Sequence, residues 1–265
     1  MPYLLLPASV FFAAFFILPM CRLFLAGGSG TRGWAAYAAV LTDATYGQAL
    51  LATLAVACAT TLATLIIGGV TGVFLQRHRF AGRAALLAML TMPLAFPGVV
   101  VGFMVIMLAG RLGLIGQLSA ALGAGKIVFA YSIFGLFLGY VYFSVPRTLL
   151  TVMAAAEKLD PRLEEAARSL GASPWRVLRD VLLPGLKPAL ISAGAICFAT
   201  AMGAFGTAFT LATRINVLPM VIYTEFTLSA NIAMAAALSF VLGAITWLAL
   251  VLARTASGDS IAAAG

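Results

Sequence analysis

The chain is predicted to be an all-α polytopic membrane protein with about six transmembrane helices and a cytoplasmic two-helix loop. Three observations predict this. Sixty-three per cent of its 265 residues are hydrophobic and only 9% are charged. Several apolar runs reach the roughly 20 residues that a spanning helix needs. The remaining charge is clustered, most densely between Glu157 and Lys187. Long unbroken apolar runs exclude the alternating pattern of a membrane barrel, and helices are the other way to satisfy the backbone in lipid. No sizeable soluble domain fits, so residues 1–265 read as one transmembrane domain.

The first span is expected at about Leu4 to Leu25. Its apolar start lacks a basic leader and a convincing cleavage site, so it reads as a helix rather than a signal peptide. The second, about Tyr46 to Leu75, is over-long and fits a tilted helix or one that starts at the surface. The third, about Ala84 to Leu108, carries Pro93 and Pro97, which remove backbone hydrogen bonds and predict a kink. A Gly-rich loop, Arg111 to Lys126, precedes the fourth span at about Ile127 to Val145, ending at Pro146-Arg147. The fifth runs about Pro188 to Leu211 and the sixth about Ile232 to Leu252. Between these two, the apolar stretch Pro219 to Phe226 is too short to cross. It carries Glu225, expected to be solvated or paired with Arg214.

Eleven Lys and Arg residues fall on the side of the charged stretch and five on the other, which makes that side cytoplasmic and, with six spans, puts both termini there. The net charge of +8 is therefore topological, not a nucleic-acid footprint. Cys21, Cys58 and Cys197 form no CxxC pair and read as packing residues. His78, a lone histidine among arginines, makes no metal site, and no catalytic cluster lies in the spans. Pairs such as Gly68/Gly72, Gly98/Gly102 and Gly135/Gly139 predict close helix packing, as do Ala195, Ala199, Gly203 and Thr207 along the fifth span. Pro93, Pro97, Gly203 and Thr207 are candidates for lining a translocation path.

Eleven of the 24 charged residues lie between Glu157 and Lys187. Asp160-Pro161 is a helix start, with an N-cap acid and proline at the first helical position. Leu163, Ala166, Ala167 and Leu170 give one apolar face, and Gly171 ends the helix in a left-handed cap. Ser173-Pro174 starts a second helix, with Trp175, Leu178, Val181 and Leu182 on its apolar face, and Pro184 is expected to close it.

Glu165-Ala166-Ala167, then Gly171, then Val181-x-Leu183-Pro184 resembles the "EAA" motif of permease subunits of binding-protein-dependent type I ABC importers. The family usually has Ile where this chain has Val181. The resemblance implies that Glu165, Ala166, Ala167, Gly171, Val181, Leu183 and Pro184 couple to the ATPase, with Gly171 as hinge. It implies two cytoplasmic ATPase subunits, a second permease subunit (the same or a sister chain), an extracytoplasmic solute-binding protein and a bacterial inner-membrane location. The chain lacks a phosphate-binding GxxxxGK[ST] loop, so it reads as a non-enzymatic subunit with no cofactor, and ATP-Mg belongs to the partner ATPase. The wider run from Ala156 to Ser173 looks most like the polyamine, phosphonate, iron and sulfate branch. This points first to a polyamine or 2-aminoethylphosphonate, with iron, sulfate or molybdate and thiamine behind. The alternative is a stand-alone secondary transporter or channel, which needs charged groups mid-span. This reading places almost none there.

Overall fold

The computed structural model describes residues 6–211 and 215–256. They form helices and no strands. In order these are α1 (Leu6–Gly28), α2 (Ala35–Thr42), α3 (Ala44–Arg77), α4 (Arg83–Thr91), α5 (Gly98–Ala109), α6 (Leu114–Ala121), α7 (Ile133–Lys158), α8 (Pro161–Ser169), α9 (Pro174–Met202), α10 (Phe205–Leu211), α11 (Leu218–Thr227) and α12 (Ile232–Ala256). Six stretches, Leu6–Gly28, Ala44–Arg77, Gly98–Ala121, Ile133–Lys158, Pro174–Met202 and Ile232–Thr255, are long and apolar enough to cross a membrane. The all-α polytopic class therefore stands, but three element boundaries do not.

The third span is not one kinked helix. α4 ends at Thr91, a 3-10 turn covers Met92–Ala95, and Phe96 and Pro97 are extended before α5 begins at Gly98. The residue before a proline is pushed out of the helical region, and Phe96, with ψ 133°, is such a residue. The Gly-rich segment after it is not all loop either, since α6 forms within it.

The fourth span begins later and ends much later than expected. Ser132 caps α7 by accepting a hydrogen bond from the Gly135 N–H at 3.3 Å. Pro146 lies buried inside α7 without ending it. Its ring removes one backbone bond, but the helix continues for about three more turns to Lys158. Arg147 is consequently an intrahelical residue, not part of a cytoplasmic loop, which leaves ten basic residues against five in the charge count.

Nor does Pro184 close a helix. The second short helix and the fifth span are one element, α9, which passes through a π turn at Leu178–Leu182. There the Leu183 N–H reaches back five residues to the Leu178 carbonyl, so the missing N–H of Pro184 falls where the register has already shifted. α1 uses the same device, with a π turn at Ala13–Ile17 just before Leu18-Pro19. The fifth span instead breaks at Gly203-Ala204 before α10.

Two compact units are present. In the first, Met1–Leu54 with Asn216–Thr246, Val40, Leu50, Leu218, Met234 and Leu238 form the core. The Thr53 hydroxyl accepts from the Leu218 N–H at 2.8 Å, and Tyr46 donates to the Glu225 carboxylate at 2.9 Å. Glu225 thus has a tyrosine partner, and Arg214 lies outside the described residues.

In the second unit, Ala55–Ile215 with Trp247–Gly265, small residues let helices touch. A Cβ on Gly68 would sit 3.0 Å from the Thr148 side chain, and one on Gly72 would sit 3.1 Å from the Leu149 carbonyl, so α3 lies directly on α7. Gly68→Leu is expected to force these helices apart and destabilise the chain by roughly 1–3 kcal/mol, read as a lower melting temperature in detergent. An unchanged melting temperature would contradict this packing.

Candidate coupling loop and solute path

The Asp160 carboxylate caps α8 by accepting from the Arg162 N–H at 2.9 Å. After Ser169 the chain turns through a Schellman pair: the Gly171 N–H bonds the Arg168 carbonyl and the Ala172 N–H bonds the Ala167 carbonyl. Gly171 sits at φ +80°, where only glycine escapes Cβ strain. Ser173 then caps α9 through the Arg176 N–H.

The apolar side chains of this hairpin face outward. Leu170 is 89% exposed and Trp175 66% exposed, and Leu163 and Ala166 are exposed beside them. Of the motif residues, Glu165, Leu183 and Pro184 are also exposed, Ala167 and Val181 are half-buried, and none takes part in an ion pair among the described residues. On the opposite side Val177, Leu182 and Leu186 are buried.

What fastens α8 is Glu164, one residue before the motif. Its side chain is 8% exposed and lies 2.8 Å from Arg77, itself 17% exposed, at the end of α3. Arg168 approaches the other carboxylate oxygen at 3.4 Å. The Arg77 guanidinium also donates to the Leu159 carbonyl at the end of α7. One ion pair, buried on its Glu164 side, and the hydrogen bond beside it therefore tie the short helix to the ends of two long ones.

The four candidate path residues are brought together only in part. Gly98 opens α5 beneath Thr207, whose hydroxyl donates to the Gly98 carbonyl at 2.9 Å. Tyr140 on α7 donates to the Ala204 carbonyl at 2.6 Å, in the break between α9 and α10. At Pro97-Gly98 and at Gly203-Ala204, backbone carbonyls beside the helix breaks thus accept from side-chain hydroxyls, which is how irregular backbone survives in a membrane protein. Between them lies a cavity of about 260 Å³ lined by Gly98, Tyr140, Ser144, Thr200, Gly203 and Thr207. Pro93 is buried in its 3-10 turn and Pro97 caps α5, and neither lines this cavity. A second cavity of about 280 Å³ shares Ser144 and Thr200 and adds Arg147, Thr148 and Thr151. Arg147 donates to the Thr200 hydroxyl at 3.3 Å and lies 5.2 Å from the centre of the Phe143 ring.

Residues 64–257 match the family described as the binding-protein-dependent transport system inner membrane component. The chain belongs to this family. It is a permease subunit of an ABC importer, a multi-pass protein of the inner membrane, and family membership sets aside the stand-alone transporter. The permease is 36% identical over 190 residues to the molybdenum transport system permease protein ModB of Escherichia coli K12, covering 70% of this chain and 81% of ModB. It is 32% identical over 206 residues to the sulfate transport system permease protein CysT of Salmonella typhimurium, covering 78% and 73%. Among solved structures, a bacterial ABC transporter for import of alginate shares the fold with a TM-score of 0.78 at 17% identity, covering 96% of this chain and 93% of that one. The MetNI methionine transporter does so with a TM-score of 0.62 at 19% identity, over 82% and 96%. The expectation of a polyamine or 2-aminoethylphosphonate solute finds no support among these relatives.

Two groups of this permease escaped the sequence reading. The Glu164–Arg168 contact is a helical i,i+4 pair and is visible in the sequence. The partner that buries Glu164, Arg77, is 87 positions away and carries no local signal. Arg147 escapes it because a span that ends at Pro146-Arg147 hides a residue that lies inside α7.

Proposed function

We propose that this chain forms, with a second permease subunit, the path of an ABC importer for a tetrahedral oxyanion of the molybdate or sulfate class. The observation that carries this reading is the 36% and 32% identity to permeases named for molybdenum and sulfate. An extracytoplasmic binding protein delivers the anion, and two cytoplasmic ATPase subunits, with ATP-Mg, drive the cycle. Their docking face is the exposed apolar hairpin of Leu163, Ala166, Leu170 and Trp175, with Gly171 as its hinge and both termini on the same side of the membrane.

Two features support a rigid transmission. α9 runs unbroken from the hairpin to Met202, so a push on its first turn moves the span directly. The Glu164–Arg77 pair carries the motion of α8 to α3, and the Arg77 bond to Leu159 carries it to α7. Closure of the ATPases then tilts these spans as bodies and switches access.

The test is uptake of radiolabelled molybdate and of sulfate by proteoliposomes holding the chain with its ATPase and binding protein. Uptake of one oxyanion that requires both ATP and the binding protein is the expected result. Uptake of spermidine or 2-aminoethylphosphonate instead would overturn the solute class. Uptake without ATP, driven by an ion gradient, would overturn the energy source.

A further inference from the structure

We propose that Arg147, set by Thr200 and flanked by Ser144 and Thr151, is an anion subsite midway along the permease, the counter-charge that a solute oxyanion meets as it crosses. The inference rests on the oxyanion reading above and adds to it the residue that would recognise the charge.

Arg147 sits far from either end of its helix. It lies 14 residues from the start of α7 and 11 from its end, about 21 Å and about 16 Å along the axis at 1.5 Å per residue. Thr200, its hydrogen-bond partner, also lies deep in its span, on the last turn of α9 before the break at Gly203. A cation at such depth is costly against lipid and is kept where it faces protein or water. Here Arg147 is an exposed side chain of α7 that lines a cavity of about 280 Å³ between α7 and α9.

Arg147 also lacks a carboxylate partner: among the described residues none forms an ion pair with this exposed guanidinium, whereas the half-buried Arg77 has Glu164. Its hydrogen bond goes to a neutral hydroxyl, and that hydroxyl is itself anchored on the Ile196 carbonyl at 2.8 Å. The Phe143 ring lies beside the guanidinium and steadies its plane. A guanidinium has five N–H donors in a planar fork that matches two oxygens of an oxyanion. Held by one hydroxyl and one ring, it keeps most of that fork for a ligand.

The surroundings complete the site. Ser144 and Thr200 line both the Arg147 cavity and the cavity at Gly98 and Thr207. An anion leaving the broken-helix region thus passes from hydroxyls to the guanidinium without meeting a carboxylate of the described residues. Such an array binds weakly enough to release, because hydroxyl contacts alternate with a single charge.

The test is uptake by the reconstituted complex carrying Arg147→Gln, which keeps a donor for Thr200 and removes the charge, beside Arg147→Lys, which keeps the charge and loses the fork. For Arg147→Gln we expect normal co-purification of the ATPase and a maximal oxyanion uptake rate lower by about tenfold or more. The half-saturating solute concentration should stay put, since the binding protein sets it. Arg147→Lys should retain at least roughly a third of wild-type uptake, as a point charge without the bidentate geometry. Uptake by Arg147→Gln within about twofold of wild type overturns the subsite while leaving the oxyanion reading intact. If Arg147→Gln fails to assemble, the lysine variant decides: retained uptake supports the subsite, and an assembled complex with none overturns it. A wild-type complex that transports neither molybdate nor sulfate overturns the oxyanion reading and the subsite together.

Discussion

Gly171→Asp is expected to leave the chain in the membrane but abolish uptake. Gly171 holds φ +80° at the end of α8, and a residue with a Cβ there costs about 1–2 kcal/mol. The built Cβ would meet nothing within 4 Å, so the effect is conformational and not a packing clash. Aspartate also places a negative charge at the C-terminal end of α8, where the helix dipole is already negative. The local response is to open the Schellman turn, releasing the Arg168 and Ala167 carbonyls and swinging α8 relative to α9. The exposed face made by Leu163, Ala166, Leu170 and Trp175 loses its shape, while the spans that hold the chain in the membrane are untouched. Gly171→Ala, with the strain but not the charge, should keep part of the uptake. Undiminished transport by Gly171→Asp would remove the hinge from the account.

Arg77→Met is expected to have the largest effect on stability. It removes the closer of the two guanidiniums at Glu164 and leaves the buried carboxylate only the exposed Arg168 at 3.4 Å, at a cost of up to about 3–5 kcal/mol. It also frees the Leu159 carbonyl at the end of α7. A drop in the detergent melting temperature of roughly 10 °C is the expected reading for a chain of this size. The double variant Arg77→Met with Glu164→Met should regain most of that loss, because replacing both charges with apolar groups removes the desolvation cost. It should not regain uptake, since the link from α8 to α3 is gone. Equal melting temperatures for wild type and Arg77→Met would show that the ion pair holds nothing.

Much of this molecule is legible in its sequence, and the failures share one cause. Hydropathy places the spans because the bilayer fixes their length, and local rules place the cap at Asp160 and the left-handed turn at Gly171. The prolines mislead. Pro146, Pro184 and Pro188 all lie inside long helices, since a helix packed by its neighbours can lose a single bond, and a π turn before Pro184 absorbs the register change. At Pro97 the helix does break, because Thr207 and Tyr140 are there to satisfy the carbonyls around it and around Gly203. Whether a proline kinks, breaks or is tolerated thus depends on partners about 100 residues away in sequence, which no window of local pattern contains. The same distance hides Arg77 from Glu164, and reading Pro146 as a terminator hid Arg147.

Everything proposed for this permease depends on the apolar hairpin from Asp160 to Pro184 gripping an ATPase. The measurement that tests it most directly is a pull-down of the tagged chain from mild-detergent membranes, with mass spectrometry of what accompanies it, run beside Gly171→Asp. The expected result is a cytoplasmic chain bearing a phosphate-binding loop in the wild-type sample and its loss or marked depletion in the variant. Recovery of the chain alone, under conditions that keep a known ABC complex together, would contradict it.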